Sequence, residues 1–361
     1  LLGPPNAGTL TGLIAAANYL GYLLGALDAM RARRPDQVRS RLHTGLWLCV
    51  VLTLISYWAY GFWPHLLLRF GAGIASAWVM VMITALSQHI AITANRPRLG
   101  ALVFAGPGAG VMLTGLLALA ANATGQGSAT LWMIYAVAAL LMLLVILPAL
   151  PQPAPPATRP AENQADGRQP GIARLGAIYG LYGLGYIIPA TFLSQMASAR
   201  FHGQWQADLF WPAFGLCAAT GVVLISFRRP RPATTRFWLM GGLWIQALGV
   251  LACLLPSGAG LALGVILCGT PFLACMPLVM QRSRDLAPHA TARNAALLTA
   301  CFAVGQLCGP LLAALSSHFS GGLQPALIIA ASGLLLAGLL AWQSVSSPAE
   351  RELCDAPTAR R

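Results

Sequence analysis

Four charged side chains fall inside, or at the edge of, long apolar runs of this chain: Asp28, Arg69, Arg174 and Asp208. A charge in hydrocarbon costs several kcal/mol, so each is by default a candidate for ligand binding, ion transfer or a structural pair. Arg69 lies under two turns from one end of its run. It can snorkel to the interface or bond to carbonyls of neighbouring helices, and it can equally attract an anion or tune proton coupling. Asp28 closes a run beside Arg31, Arg33, Arg34, Arg39 and Arg41, where a solvated ion pair is expected. Asp208, between Trp205 and Trp211, reads as an interfacial cap or anchor, with a proton site as the alternative. Arg174 belongs to a basic cluster outside the run. His65, His202 and His318 fall at loops, whereas His89 lies deeper and is a candidate proton relay.

The uncharged polar set is richer. Asn18, Tyr19 and Tyr22 share one run, Tyr179, Tyr182, Tyr186, Thr191 and Gln195 share another, and Gln306 lies in a third. Tyr179, Tyr182 and Tyr186 follow i, i+3, i+7 spacing and therefore line one helix face. Such a stripe can be interhelical packing with hydroxyl partners, or the wall of a site for a hydrophobic or weakly polar ligand. Asn18, Tyr22, Arg69, Tyr182, Tyr186, Thr191, Gln195 and Gln306 are the expected cavity residues. No cofactor or metal is expected: the eight cysteines show no C-x-x-C, and a cysteine in an apolar run acts as a small hydrophobe. The glycines at 106, 108 and 110 do not form a phosphate loop, since no strand precedes them.

The elements that must position these residues are membrane helices. Hydrophobic residues make up 57% of the 361 positions and charged residues 9%, against roughly 25% in soluble domains. A soluble fold of this composition would expose large apolar patches; a lipid exterior removes the difficulty. Runs of about 20 apolar residues can cross a bilayer. Eleven are read: Gly8–Met30, Thr44–Phe62, Leu66–Ala94, Leu99–Ala121, Thr130–Leu150, Ala173–Ala197, Ala207–Phe227, Phe237–Leu255, Gly258–Gln281, Asn294–Ser316 and Gln324–Trp342. The first lacks the basic start and cleavage site of a signal peptide.

The net charge of +13 comes from arginine alone, and the arginines sit in clusters between apolar runs. That punctuation excludes a nucleic-acid binder, which needs a continuous basic surface. The clusters occupy the odd-numbered connections and the C-terminus, while the even-numbered connections carry only Arg200. Arginine-rich loops are cytoplasmic, so the odd connections and the C-terminus are expected to face the cytoplasm of a bacterial inner membrane.

Residues 151–172 are rich in proline and polar residues and read as a semi-extended cytoplasmic linker. The expected domains are a five-span bundle over 1–150, that linker, a six-span bundle over 173–344 and a tail over 345–361. Five spans against six, with an outward start, lead us to expect a further span upstream in the full-length protein; a genuine eleven-span chain is the alternative.

Transporters are commonly built from two related halves. Gly106-Pro107-x-x-Gly110 lies in the fourth run before the linker, and Gly305-x-x-x-Gly309-Pro310 in the fifth run after it. With one helix missing in front, these are equivalent positions of a six-plus-six bundle. Proline removes a backbone donor and crowds the preceding turn, so Gly106, Pro107, Gly110, Gly305, Gly309 and Pro310 are expected to bend or gate, or else merely to accommodate packing. On these residues the chain resembles the major facilitator superfamily, whose fifth-helix motif has G-P-x-x-G as its core, although Leu102 stands where that motif usually has glycine. Arg69-x-x-x-Gly73 is similar to the superfamily's fourth-helix motif; Gly25, Asp28 and Arg31 to Arg34 keep its loop motif only loosely. The stretches 16–22, 183–193 and 295–310 look like the second, seventh and eleventh helices of the YbfB/YjiJ-type branch. The resemblance implies an all-α, two-bundle membrane transporter.

The expected function is secondary transport of a small molecule by alternating access, as proton-coupled efflux, by a monomer in the lipid bilayer. An integral-membrane enzyme is the rival from another class, but its usual metal cluster or paired carboxylates do not converge here. A non-transporting scaffold or truncated remnant is the third reading.

Overall fold

The computed structural model of the chain describes residues 7–32, 34–94, 100, 102–150, 170–202, 204–228, 230–287 and 291–343. Among the described residues there is no strand. The described residues form eleven long helices: α1 (Ala7–Ala29), α2 (Pro35–Ile55), α3 (Phe62–Thr93), α4 (Ala105–Ala123), α5 (Ser128–Ile146), α6 (Pro170–Arg200), α7 (Phe210–Arg228), α8 (Pro232–Ala252), α9 (Gly258–Leu286), α10 (Thr291–Ser320) and α11 (Gln324–Trp342). Helix is the form in which such apolar segments satisfy every backbone group internally. Ten of the eleven are long and apolar enough to cross a membrane. The exception is α8, of spanning length but made less apolar by Thr234, Thr235, Arg236 and Gln246.

Helix ends depart from the sequence expectation where local chemistry intervenes. The second span, expected at Thr44–Phe62, begins at Pro35 and ends at Ile55. Pro35 occupies the first helical position after an extended Arg34, where its fixed φ favours initiation and no donor is lost. The Arg34 N–H donates to Gln37 Oε1 at 3.3 Å. At the other end the Ser56 hydroxyl bonds the Leu52 carbonyl, and Gly61 turns the chain at φ 83°. The span expected from Leu66 starts four residues early, at Phe62, and the span expected from Ala173 starts at Pro170. The linker from 151 to 169 and the tail beyond 343 lie outside the described residues.

In the first half α1 packs on α3, and α2 on α3 and α5. In the second, α6 packs on α10 and α11, α9 on α7 and α8, and α8 on α11. The halves meet along two helix pairs, α1 with α10 and α4 with α7. The two Gly-Pro helices, α4 and α10, therefore occupy the same role, each carrying its half against the other.

Both seams rest on backbone. A Cβ on Gly108 would lie 2.6 Å from the Ala219 nitrogen, one on Gly215 would lie 2.3 Å from the Met112 nitrogen, and one on Gly115 would meet Pro212 at 2.6 Å. In the other seam a Cβ on Gly12 would lie 2.8 Å from the Pro310 carbonyl and 2.9 Å from Ala314 Cβ. Small residues let membrane helices approach this closely.

Candidate functional site

The tyrosine stripe of α6 is the spine of an aromatic column. Tyr179 stacks on Phe302 of α10 with centroids 4.5 Å apart, and Phe302 lies 5.6 Å from Tyr186 at an interplanar angle of 9°. Tyr186 stacks in turn on Phe272 of α9 at 4.4 Å, and Phe272 leads to Phe214 of α7 at 5.5 Å. Tyr182 packs beside the column, 5.5 Å from both Tyr186 and Phe302. These offset geometries contribute about 0.5–1.5 kcal/mol per pair beyond area burial. Pro189 lies inside α6 one turn beyond Tyr186, and Pro271 inside α9 adjoins Phe272.

One polar bond crosses the column: Gln306 Nε2 of α10 donates to the Tyr186 hydroxyl. Both residues are buried. The Tyr182 hydroxyl and Gln306 Oε1 are buried without a hydrogen-bond partner, whereas the Thr191 hydroxyl meets that of Tyr19 on α1. Buried polar atoms of this kind need an explanation, and a polar ligand group reaching the layer would supply one.

The first half brings its own residues to the same layer. Tyr19 of α1 packs against the second-half core that contains the column. Gly73, the glycine of the Arg69-x-x-x-Gly73 pair, packs on the backbone of Asn18 and Tyr22: a Cβ there would lie 2.0 Å from the Asn18 carbonyl and 2.8 Å from the Tyr22 nitrogen. Gly73 thus locks α3 to the stretch of α1 that carries Asn18, Tyr19 and Tyr22. One turn earlier on α3, the Arg69 guanidinium lies 4.8 Å over the Trp132 ring of α5. Tyr135, one turn along from Trp132, donates to the Thr114 carbonyl of α4 at 3.0 Å, which holds α5 beside α4.

The remaining expected residues are placed as follows. Gln195 is exposed, one turn past Thr191. Asp28 accepts from Arg41 Nε at 2.9 Å and Nη2 at 3.1 Å, a two-pronged pair between α1 and α2 as expected of a helix end among arginines. Asp208 accepts from Asn122 Nδ2 at 3.1 Å, so this interfacial carboxylate links the end of α4 to the turn before α7. His89 lies on α3, with its side chain outside the described residues.

Around Pro107 the chain turns at Val103–Phe104 before α4 begins at Ala105. Proline 107 cannot donate to the Val103 carbonyl; the Gly106 N–H does so instead, at 3.1 Å. Pro310 sits inside α10. Within the Gly106-Pro107-x-x-Gly110 stretch it is Gly108 that approaches the partner helix, since a Cβ at 106 or 110 meets nothing within 4 Å. Gly305 and Gly309 do pack closely, on Gly180 and Ile187 of α6.

Sequence reasoning missed Phe302, Phe272, Trp132 and Tyr135, whose apolar surroundings hide them among packing residues. Their only signal is aromatic type on helices that also carry motif residues. It also left Arg200 without a role. Its guanidinium donates to the Leu255 carbonyl, to Ser257 O at 3.1 Å and to Cys253 O at 3.2 Å, tying the end of α6 to the turn between α8 and α9.

Among the described residues, no group of His, Cys, Asp and Glu side chains could hold a metal ion. The sequence profile of the family described as "Uncharacterised MFS-type transporter YbfB" matches residues 7–342. The chain belongs to this family. It is a multi-pass membrane protein of the MFS transporter type, and its all-α fold is the fold of that superfamily. The human organic anion transporter MFSD10 (TETRAN) is similar in structure, with a TM-score of 0.66 and 17% identity over 92% of this chain and 83% of that one. A bacterial homologue of the human lysosomal transporter Spinster, in an inward-facing and occupied conformation, matches with a TM-score of 0.61 and 15% identity over 93% of this chain and 89% of the other. No curated protein sequence matches the chain.

Proposed function

We propose that this MFS-type transporter moves a small molecule with an apolar body by alternating access, driven by protons in the direction of efflux. The observation that carries the reading is the layer shared by both halves: Tyr19 and the Gly73-anchored stretch of α1 against Tyr186 and Gln306. A ligand held there touches both bundles, so rocking at the α1–α10 and α4–α7 seams changes which side it meets. The aromatic walls suit an apolar ligand, and unpartnered polar atoms at Tyr182 and Gln306 suit a hydrogen-bonding group on it. Arg69, held over Trp132 at the edge of the layer, offers a cation to an anionic substituent or a means of setting the affinity of nearby groups for a proton. The organic anion transporter named above has the same fold, and a carboxylate or sulfonate on an aromatic body is the first substrate class to test.

In this reading residues 1–150 and 173–344 are the two rocking bundles, joined by the linker 151–172 on the cytoplasmic side of a bacterial inner membrane. The tail lies on the same side, and one monomer contains the whole pathway. The test is reconstitution into liposomes with an imposed pH gradient and a lumenal pH dye. Substrate-dependent collapse of the gradient supports coupled transport; uptake that proceeds equally without a gradient removes the proton from the scheme.

A further inference from the structure

Two cysteine thiols meet between α8 and α9. Cys253 follows the last residue of α8 with its backbone still in the helical region, and Cys268 lies inside α9. A Cβ on Gly249 of α8 would lie 2.6 Å from the Cys268 nitrogen and 2.8 Å from its sulfur, and one on Gly264 of α9 would lie 2.4 Å from the Cys253 sulfur. Each sulfur therefore sits over a glycine of the opposite helix. Residue 249 faces 268 and residue 253 faces 264, the order of an antiparallel pair. Helical side chains lean toward the N-terminus of their own helix, so Cys253 leans to the level of Gly249 and Cys268 to that of Gly264. Between antiparallel helices those directions converge, and the two thiols are in hydrogen-bonding contact. Both residues are buried. The backbone around them is held: Gln246 Nε2 of α8 donates to the Cys268 carbonyl at 3.4 Å, and the Cys268 sulfur lies 3.6 Å from the Gln246 carbonyl. Arg200 donates to the Cys253 carbonyl at 3.2 Å, which sets a cation at that end of the pair.

We infer that Cys253 and Cys268 are a disulfide-forming pair, oxidised by hydrogen peroxide to a covalent link between α8 and α9. A bridge requires close backbones and side chains aimed at one another; the two glycines supply the first and the antiparallel lean the second. Burial excludes a protein oxidant but not a small uncharged peroxide. The thiolate is the attacking form of cysteine, so Cys253, beside Arg200 and next to the turn, is the sulfur that reacts first. It attacks one peroxide oxygen, the O–O bond breaks, and a sulfenic acid forms as water leaves. The Cys268 sulfur then attacks the sulfenic sulfur; the S–S bond forms, and the hydroxyl leaves with the Cys268 proton as a second water. Two thiols thus lose two electrons and two protons in all, and one peroxide becomes two waters. In the proposed topology the turn between α8 and α9 faces away from the cytoplasm, in a compartment where disulfides persist. Pro271 and Phe272 follow Cys268 on α9, so the bridge ties to α8 the stretch of helix beside the ring that stacks on Tyr186.

The test uses the full chain, purified in detergent and exposed to hydrogen peroxide. The protein is then unfolded, its free thiols are capped with N-ethylmaleimide, and the tryptic fragment 237–282 is weighed before and after reduction. That fragment holds Cys253, Cys268 and Cys275, so without peroxide it should take three caps. After peroxide it should take one cap, on Cys275, and be lighter by two hydrogens, with dithiothreitol restoring the other two thiols. Cys275→Ser should keep the bridge, and Cys253→Ser should abolish it. If Cys253→Ser does not fold, Cys268→Ala gives the same reading. Three caps at every peroxide concentration would overturn the pair, as would a bridge that uses Cys275 in place of either partner. Oxidation of Cys253 to a sulfinic acid with Cys268 still free would overturn it too. The assay reads no transport, so its outcome is independent of the proposed function.

Discussion

Gln306 Nε2 donates to the Tyr186 hydroxyl between stacked rings, so a buried side-chain bond crosses the aromatic column and joins α10 to α6. Removing one partner leaves the other desolvated, at a cost of about 1–3 kcal/mol. Tyr186→Phe should therefore lower the unfolding midpoint in detergent while the stacking survives. Gln306→Leu, which removes the amide itself, should cost less. Equal midpoints for Tyr186→Phe and wild type would contradict the bond.

Arg69→Ala should impair transport more than folding. A charge-assisted contact to substrate is worth about 1.5–3 kcal/mol, or roughly ten- to a hundredfold in rate or affinity. Membrane yield should stay near wild type, because the α1–α3 contact rests on Gly73 and not on the guanidinium. Unchanged transport at equal yield would remove Arg69 from the mechanism.

Gly108→Ala should damage the α4–α7 seam, since its Cβ would overlap the Ala219 backbone; overpacking of this kind costs about 1–3 kcal/mol. Gly106→Ala, two residues away, meets open space and should be neutral or stabilising by up to about 1 kcal/mol. Thermal unfolding of the two variants side by side checks the pair, and similar losses in both would refute the contact.

Pro107→Ala and Pro310→Ala should leave the protein inserted but slow its alternation. At 107 alanine supplies a donor for the Val103 carbonyl and would straighten the break before α4; at 310 it completes the ladder of α10. Cysteine labelling from each side, in a background without native cysteines, measures the change. Wild-type accessibility and rates in both variants would leave the prolines a packing role only.

The linker and the C-terminus should both be cytoplasmic, given the arginine-rich odd connections. A reporter active only in the periplasm should be silent when fused after Arg361 or inserted at Gln164. Strong signal at either place would reverse the topology.

The fold was legible because apolar runs and arginine clusters report directly on the bilayer, which acts on every residue of a span. The equivalence of α4 and α10 could be read from two Gly-Pro pairs, since helix breakers are conspicuous in apolar surroundings. Start points were harder: α2 begins among arginines because Pro35 and Gln37 organise the first turn, and local initiation outweighs polarity there. The site was half visible. Tyr179, Tyr182 and Tyr186 declare a face by spacing, and Gln306 stands out as an amide in an apolar run. Phe302 and Phe272 do not, because only tertiary structure tells a stacking ring from a packing one. For the same reason the sequence does not tell that Gly108, and not Gly106 or Gly110, makes the contact: rotation of the helix about its axis decides which glycine faces the partner.

The two seams between the halves have a further consequence. Gly12 against Pro310 and Ala314, Gly108 and Gly215 against backbone, and Gly115 against Pro212 are contacts among residues with no rotamers to lose. Parting or tilting such surfaces releases no side-chain entropy, and closing them again forfeits none. The aromatic column is the opposite case, since every ring in it has been fixed in orientation by its neighbours. Conformational freedom is thus spent inside the second half and withheld from these backbone contacts, so they can part and close without a side-chain entropy term of their own.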